Sequence, residues 1–253
     1  MKKVILANPR SINPARLIRD IIETKTGNRY PVFTSNQYVT NGDSILIRYA
    51  NALDVGNSIL DTNYNSKEFI RLCGNKFNTS QFLIEHEIDC IGFNRGNPEF
   101  YPVFLRKVIN GQGGNGIVIC IDSEEFDRES ENNNYYWSYY LNFTSEYRIH
   151  VTGNTIARIF KKVLHPGEQE AEFPIRNMER YDFSLRSDIN AFPKVTQLIN
   201  KLATVFPNNF YALDIGIFEG RPIIIEINSG PGLSENTAEY YANYLIRELN
   251  IQN

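Results

Sequence analysis

Two carboxylates and an amide stand inside a strongly apolar stretch near the end of the chain: Asp214, Glu226 and Asn228 in "YALDIGIFEGRPIIIEIN". Glu219-Gly220, followed by Arg221-Pro222, is a tight-turn signal between two apolar runs. A turn centred there sets Asp214 and Glu226 opposite or diagonally opposite one another across an antiparallel ladder. Asn228, two residues beyond Glu226, projects from the same face. Like charges directly opposed are destabilising, and burying either ion unpaired costs several kcal/mol. A shared hard cation resolves the conflict. Carboxylate and amide oxygens, without a His or Cys, suit Mg²⁺, which also takes oxygens from a nucleotide's phosphates. The competing reading, two separate surface ion pairs, sits poorly with the apolar flanks.

A second feature is "GQGGNGIV", in which Gly111, Gly113 and Gly116 spell GxGxxG. A dinucleotide fingerprint leads from a strand into a helix, whereas "IVICI" here reads as a strand. A Walker A loop ends in Gly-Lys-Ser/Thr, and Ile117 follows Gly116. Val118 completes the protein-kinase pattern GxGxxGxV, and Asp214-Ile215-Gly216 imitates DFG. Yet the chain has no HRD and no lysine between Lys107 and Lys161, so the kinase-domain reading fails. What survives is a strand–loop–strand whose backbone N–H groups can close over phosphates, with Lys107 just upstream. The alternative is a merely flexible hairpin tip. In "EYRIHV", Glu146, Arg148 and His150 alternate with Tyr147, Ile149 and Val151, so one face packs inward and the other meets a cleft or solvent. His150 reads as structural in that setting. His86 and His165 lack metal-ligand spacing, which argues against a zinc site. Cys73, Cys90 and Cys120 are widely spaced and read as small buried apolar residues in a reducing compartment.

These groups need elements to hold them. "VILA" (4–7) and "SILIRY" (44–49) read as strands around a helix whose cap and first residue are Asn13 and Pro14, and which Gly27 ends. This small α/β unit runs to about residue 65. Two helices follow, one through "SKEFIRLC" to Gly74 and one through "TSQFLIEHE" after Asn78. "YPVFLRKVI" and "GIVICID" are strands flanking the glycine loop, and the polar run Glu129–Asn134, preceded by more acids, is expected as an exposed loop before "YYWSYYL". Gly153-Asn154 joins "EYRIHV" to "TIARIFKKV" as a hairpin. Val195, Leu198, Ile199, Leu202 and Val205 mark an amphipathic helix, and a closing helix starts near Ser234. The fold class is α+β with antiparallel hairpins. A net charge of −3 over 253 residues argues against a nucleic-acid partner engaged through a broad basic surface. No segment approaches the roughly 20 apolar residues of a membrane span, and the apolar run in "MKKVILANPR" is too short for a secretory signal. The expected location is cytoplasmic.

Taken in order, "NKFNTSQFL", "FLRKVINGQGGNGI", "YYLN", "SEYRIHV" and D-x11-E-x-N-x-x-P-G-L resemble the ATP-grasp superfamily of carboxylate–amine ligases, particularly its ribosomal-protein-S6 glutamate-ligase-like branch. The resemblance covers about two thirds of the chain. It implies an ATP-grasp fold, two α+β lobes clamping ATP between antiparallel sheets. The domains would be a reduced N-terminal unit (1–66) and an ATP-grasp domain (67–253), with a nucleotide lobe of about 67–145 and a metal-binding lobe of about 146–253. By position, Lys76 and Lys107 resemble the lysines that contact ATP phosphates, and Gly111, Gln112, Gly113, Gly114, Asn115 and Gly116 the loop that covers them. Tyr139, Tyr140, Leu141 and Asn142 resemble the linker whose backbone pairs with adenine; Tyr139 stands where many relatives carry an acid. Glu146 matches the acid that holds ribose hydroxyls, and Asp214, Glu226 and Asn228 match the Mg²⁺ ligands. Arg148 and one of Lys161 and Lys162 resemble the basic residues around the transferred phosphoryl group. Arg176 and Asn177 resemble residues facing the substrate.

The implied reaction is phosphoryl transfer from ATP to a carboxylate, followed by attack of an amine on the acylphosphate to form an amide or peptide bond. The implied cofactors are ATP and one or two Mg²⁺ ions, with Mn²⁺ as a substitute. The substrate class is a small molecule, amino acid or peptide, and the short N-terminal unit leaves room for a carrier or substrate protein. Relatives of this kind are often dimers or tetramers. A small-molecule kinase, or a nucleotide-binding protein without turnover, are the competing readings.

Overall fold

The computed structural model describes residues 2–34, 44–53, 60–61, 64–107, 116–131, 134–176, 179–186 and 193–250. The N-terminal unit is a parallel sheet of order β2-β1-β3-β4, built from β1 (Lys2–Ala7), β2 (Val32–Phe33), β3 (Ser44–Tyr49) and β4 (Leu60–Asp61). Helix α1 (Ile12–Thr26) buries Ala15, Ile18 and Ile22 at helical spacing and ends at Gly27, whose φ of 68° closes a left-handed cap. Its start differs from expectation. Asn8 caps a 3-10 turn over Pro9–Ser11, and Asn13-Pro14 lies inside the first turn of α1, where proline's missing N–H costs nothing.

Helices α2 (Lys67–Cys73) and α3 (Lys76–Glu85) follow. The cap of α3 is Asn75, whose side chain accepts from Asn78 N–H, so the helix starts before the expected Asn78 and takes Lys76 as its first residue. A small antiparallel sheet of order β6-β5-β7 comes next, from β5 (Val103–Arg106), β6 (Ile117–Cys120) and β7 (Tyr136–Tyr139). The acidic run before the expected loop forms a helix that the sequence reading lacks, α4 (Ser123–Glu129), which takes in the loop's first residue Glu129. Asp122 caps it, and it buries Phe126 against Val103, Leu105 and Trp137.

The five-stranded antiparallel sheet has the order β10-β9-β8-β11-β12, with β8 (Ser145–Thr152), β9 (Thr155–Leu164), β10 (Tyr181–Arg186), β11 (Phe210–Phe218) and β12 (Arg221–Asn228). Strand β10 is absent from the sequence reading, although "YDFSLR" alternates apolar and polar residues; the run is short and follows a polar stretch. One face carries Tyr147, Ile149, Ile159, Tyr211, Leu213 and Ile215 into the main core, under α2, α3 and α5 (Pro193–Val205). Helices α2 and α3, expected in the nucleotide lobe, therefore share a core with strands expected in the other lobe. The opposite face is divided. Phe210 and Ala212 pack under α6 (Glu235–Glu248) and the N-terminal unit, while Asp214 and Gly216 open toward the small sheet.

Both hairpins of this sheet have two-residue turns and one bulge. In β11–β12, Glu219 and Gly220 both have positive φ (49° and 71°), as a type I′ turn requires. The pairing steps from Ile215↔Ile224 to Asp214↔Glu226, so Ile225 is an extra residue. In β8–β9 it steps from Val151↔Ile156 to His150↔Arg158, so Ala157 is extra.

Candidate functional site

The cleft lies between the small sheet and the open end of the large one, and its walls include Lys76, Arg106, Glu146, Arg148, Lys162, Arg176, Phe183, Asp214 and Glu226. Asp214 and Glu226 stand directly opposite one another, and each is held by a cation. Arg148 donates to both oxygens of Asp214 (Nε–Oδ1 2.7 Å, Nη2–Oδ2 2.8 Å), and Lys76 Nζ lies 2.9 Å from Glu226 Oε2. Burial pushes the Asp214 carboxyl up, but the Arg148 hydrogen bonds and the charges of Arg148, Lys162 and Lys76 outweigh it and hold its pKa below the ordinary value. Glu146 is bridged in the same way, by Lys162 Nζ at 2.9 Å and Arg176 Nη1 at 3.2 Å.

Asn228 follows on the same strand face, but its Oδ1 accepts from Gly230 N–H at 3.0 Å and so braces the turn that leaves β12. That turn carries the N-terminal unit. Tyr49 hydroxyl donates to Pro231 O, Asn65 Nδ2 to Ser229 O, and the Ala50 methyl stands where a Cβ on Gly230 would be, 2.3 Å away. Among the described residues, no three His, Cys, Asp or Glu side chains converge into a preformed metal cage. Two opposed carboxylates suit Mg²⁺, which is held by one or two carboxylates plus phosphate oxygens and water.

Strand alternation puts Lys161 and Lys162 on opposite faces, and the bulge at Ala157 decides which is which: Lys162 faces the cleft with Glu146, while Lys161 opposes Tyr147 on the helix-covered face. Lys107 is not in the cleft. It shares the α4 side of the small sheet with Val103 and Leu105 and pairs with Glu129 of α4. Arg106, missed in the sequence, occupies the cleft face instead. It lies over the Phe93 ring at 5.3 Å, its Nε has no partner, and burial lowers its pKa. The signal was the alternation of "VFLR": if Val103 and Leu105 face the core, Phe104 and Arg106 cannot. Ser138, opposite Phe104 on that cleft face, also has a buried hydroxyl without a partner. Two orphaned polar atoms on the roof of the cleft suit a polar ligand.

The linker runs from Tyr139 through Asn142. The Tyr139 ring points outward against Phe100 and Trp137, while Tyr140 N–H donates to Pro102 O and Leu141 packs inward. Phe143 anchors the linker on Gly216, where an added methyl would sit 2.4 Å from the ring. Arg176 Nη2 donates to Phe143 O at 3.1 Å and so ties the strap before β10 to the linker. Gly111 to Asn115 and Asn177 lie outside the described residues; Gly116 closes the β5–β6 hairpin by accepting from Lys107 N–H. His150 is structural: buried under α6 and bonded to the Tyr241 hydroxyl at 3.0 Å, it has its pKa lowered to about 4 by burial and by Arg148.

No family model matches the chain by sequence, and no curated protein does. Solved structures do match its shape. The ATP-grasp ligase PsnB, complexed with a minimal precursor, superposes with a TM-score of 0.67 at 10% identity, over 98% of this chain and 99% of that one. A RimK-domain ATP-grasp protein from Sphaerobacter thermophilus gives 0.64 at 14% identity, over 96% and 99%. The D-alanine–D-alanine ligase of Bacillus anthracis, complexed with ATP, gives 0.61 at 10% identity, over 98% and 94%. The chain has the ATP-grasp fold, and the likeness extends over its N-terminal unit as well. Among the described residues, no helix is long and apolar enough to cross a membrane.

Proposed function

We propose that this protein is an ATP- and Mg²⁺-dependent ligase that activates a carboxylate as an acylphosphate and joins it to an amine. The observation that carries the reading is the opposed pair Asp214 and Glu226, facing a cleft in which five cations outnumber three acids. Such a site takes up a polyanion together with a hard cation, and similar structures of this fold were solved with ATP or with Mg and ADP.

In this reading Lys76 and Arg106 hold the polyphosphate, with Arg106 taking the place first given to Lys107, and the 111–116 loop covers it. The linker at 139–142 borders the adenine, and Glu146 exchanges Lys162 and Arg176 for the ribose hydroxyls. Asp214 and Glu226, with Asn228 behind them, hold one or two Mg²⁺ (or Mn²⁺) ions, which neutralise phosphate charge when bound. Arg148 and Lys162, released from those acids, stabilise the transferring phosphoryl group. A substrate carboxylate oxygen attacks the γ-phosphorus and ADP leaves. The amine then attacks the acyl carbon and phosphate leaves with the bonding pair. Arg176 and Asn177 border the acceptor.

The test is thermal unfolding with ADP, with and without Mg²⁺. Nucleotide at about 100 times its Kd adds roughly 2.7 kcal/mol. A Mg²⁺-dependent gain is expected; no gain at millimolar nucleotide overturns the reading. ADP release that needs no amine would instead favour a kinase.

A further inference from the structure

The two edges of the five-stranded sheet are finished differently. Beside β12 the segment Asp89–Ile91 runs parallel: Ile91 N–H donates to Ile224 O at 2.8 Å, and Ile224 N–H to Asp89 O at 2.9 Å. Strand β10 pairs with β9 on one side and, among the described residues, with no strand on the other. It carries neither proline nor bulge, two of the usual protections of an edge.

The outward-facing groups can be identified. His165 N–H donates to Arg180 O at 2.9 Å, which makes that pair a hydrogen-bonded one. Alternation along an antiparallel ladder then makes Asp182–Val163 and Ser184–Lys161 hydrogen-bonded pairs too. The backbone N–H and C=O groups of Tyr181, Phe183 and Leu185 therefore point away from β9. The side chains of these three lie on the cleft face. Arg148 sits over the Phe183 ring at 4.7 Å, Phe183 stands opposite Lys162, and Leu185 is 52% exposed.

We propose that this edge receives the substrate, an extended peptide segment that pairs with Phe183 and Leu185 as a sixth strand and turns its carboxylate, from a side chain or its C-terminus, toward Lys162. The inference rests on the ligase reading and names its substrate class. A free amino acid has too little backbone to satisfy successive outward groups, whereas a strand does so at every second residue. Added strands lie about 4.8 Å apart, so the newcomer runs about 10 Å from β9, a gap that an acidic side chain and Lys162 close together. The apolar cleft-face row on β10 takes the alternate apolar side chains.

The test uses hydroxylamine as the amine, with ATP and Mg²⁺, so that the acylphosphate is trapped as a hydroxamate with release of phosphate. The substrates are a pool of N-acetylated, strand-length random peptides, each with one glutamate and a free C-terminus, and separately the free amino acids. Wild type is expected to form peptide hydroxamates and none from free amino acids. Leu185→Pro removes one outward N–H and no bond to β9, so peptide turnover should fall about tenfold while the MgADP thermal shift is kept. Leu185→Ala, which keeps the N–H and thins only the apolar row, should lose clearly less turnover than Leu185→Pro. Hydroxamates from free amino acids alone, none from either pool while MgADP still binds, or full peptide turnover in Leu185→Pro would each overturn the proposal. Should Leu185→Pro not fold, amide exchange on wild type decides: Phe183 and Leu185 slow with the peptide pool, and unchanged rates refute strand addition. Absence of any MgADP shift in wild type is a different failure, that of the nucleotide reading itself.

Discussion

The hairpins β8–β9 and β11–β12 look alike in sequence and are built alike, yet they deliver opposite charges to one place. Each turns over two residues: Gly153-Asn154, where of the two only Gly153 has a positive φ (63°), and Glu219-Gly220, where both do. Counting back from the turn without a bulge, Glu226 would oppose Leu213 and point into the main core, and Lys162 would oppose Ser145 on that same face. The extra residues Ile225 and Ala157 move both across the sheet, Glu226 to face Asp214 and Lys162 to meet Glu146. A shift of one residue exchanges the faces of a strand. The site thus depends on two irregularities more than on the residues that compose it.

The largest expected effect comes from undoing what they do. Exchanging Glu226 with Ile227 (Glu226→Ile with Ile227→Glu) puts the carboxylate opposite Leu213 in the apolar core, costing about 3–5 kcal/mol in a urea unfolding curve and abolishing the MgADP shift. Exchanging Lys162 with Val163 (Lys162→Val with Val163→Lys) should cost less, because a lysine near the strand end can carry its ammonium back to water. Equal losses in the two exchanges would show that the two faces of the sheet do not sort charge.

A second prediction concerns His150, on the same strand face as Glu146 and Arg148 but covered by α6. Its folded pKa of about 4 lies below the ordinary histidine value, so between roughly pH 4 and 6.5 the unfolded chain binds the extra proton. Stability should therefore be fully present above about pH 6.5 and fall with pH across that window, by up to about 3 kcal/mol. The fall should largely vanish in His150→Gln. Arg148, Asp214, Arg158 and Tyr241 surround the ring, and an unchanged profile in that variant would assign the effect to them.

The smallest effect is local. Arg106→Ala should cost about 2 kcal/mol of MgADP affinity, the worth of a hydrogen-bonded charge, while Lys107→Ala should bind like wild type. The reverse result would return the phosphate contact to Lys107 and mean that β5 turns over when nucleotide binds.

Much of this was legible in the sequence. Apolar alternation in "YALDIGIF" and "PIIIEIN" located the hairpin, the Gly153-Asn154 dipeptide located the other, and the order of motifs pointed to the fold. What stayed hidden has physical causes. A bulge leaves no mark on composition, so Lys161 and Lys162 could not be told apart. Helix α4 was obscured by its own acids, since Phe126 is its single buried residue. Lys107 and Arg106 are adjacent cations, and only the parity of "VFLR" tells the one on the α4 side from the one on the cleft face. The edge strand β10 alternates in "YDFSLR", but six residues behind a long polar stretch, most of them exposed in the fold, are a short signal beside the longer hairpin strands.

The contact of Ala50 with Gly230 has a further consequence. The first 66 residues look, in sequence, like a dispensable accessory. In the folded chain they lean on the turn that directly follows Asn228, and they cover the buried side of α6 through Ile18, Ile22 and Tyr49. Removing them would wet that helix face and loosen the end of β12 together. The N-terminal unit therefore acts as a buttress, holding from behind the strand that offers Glu226 and Asn228.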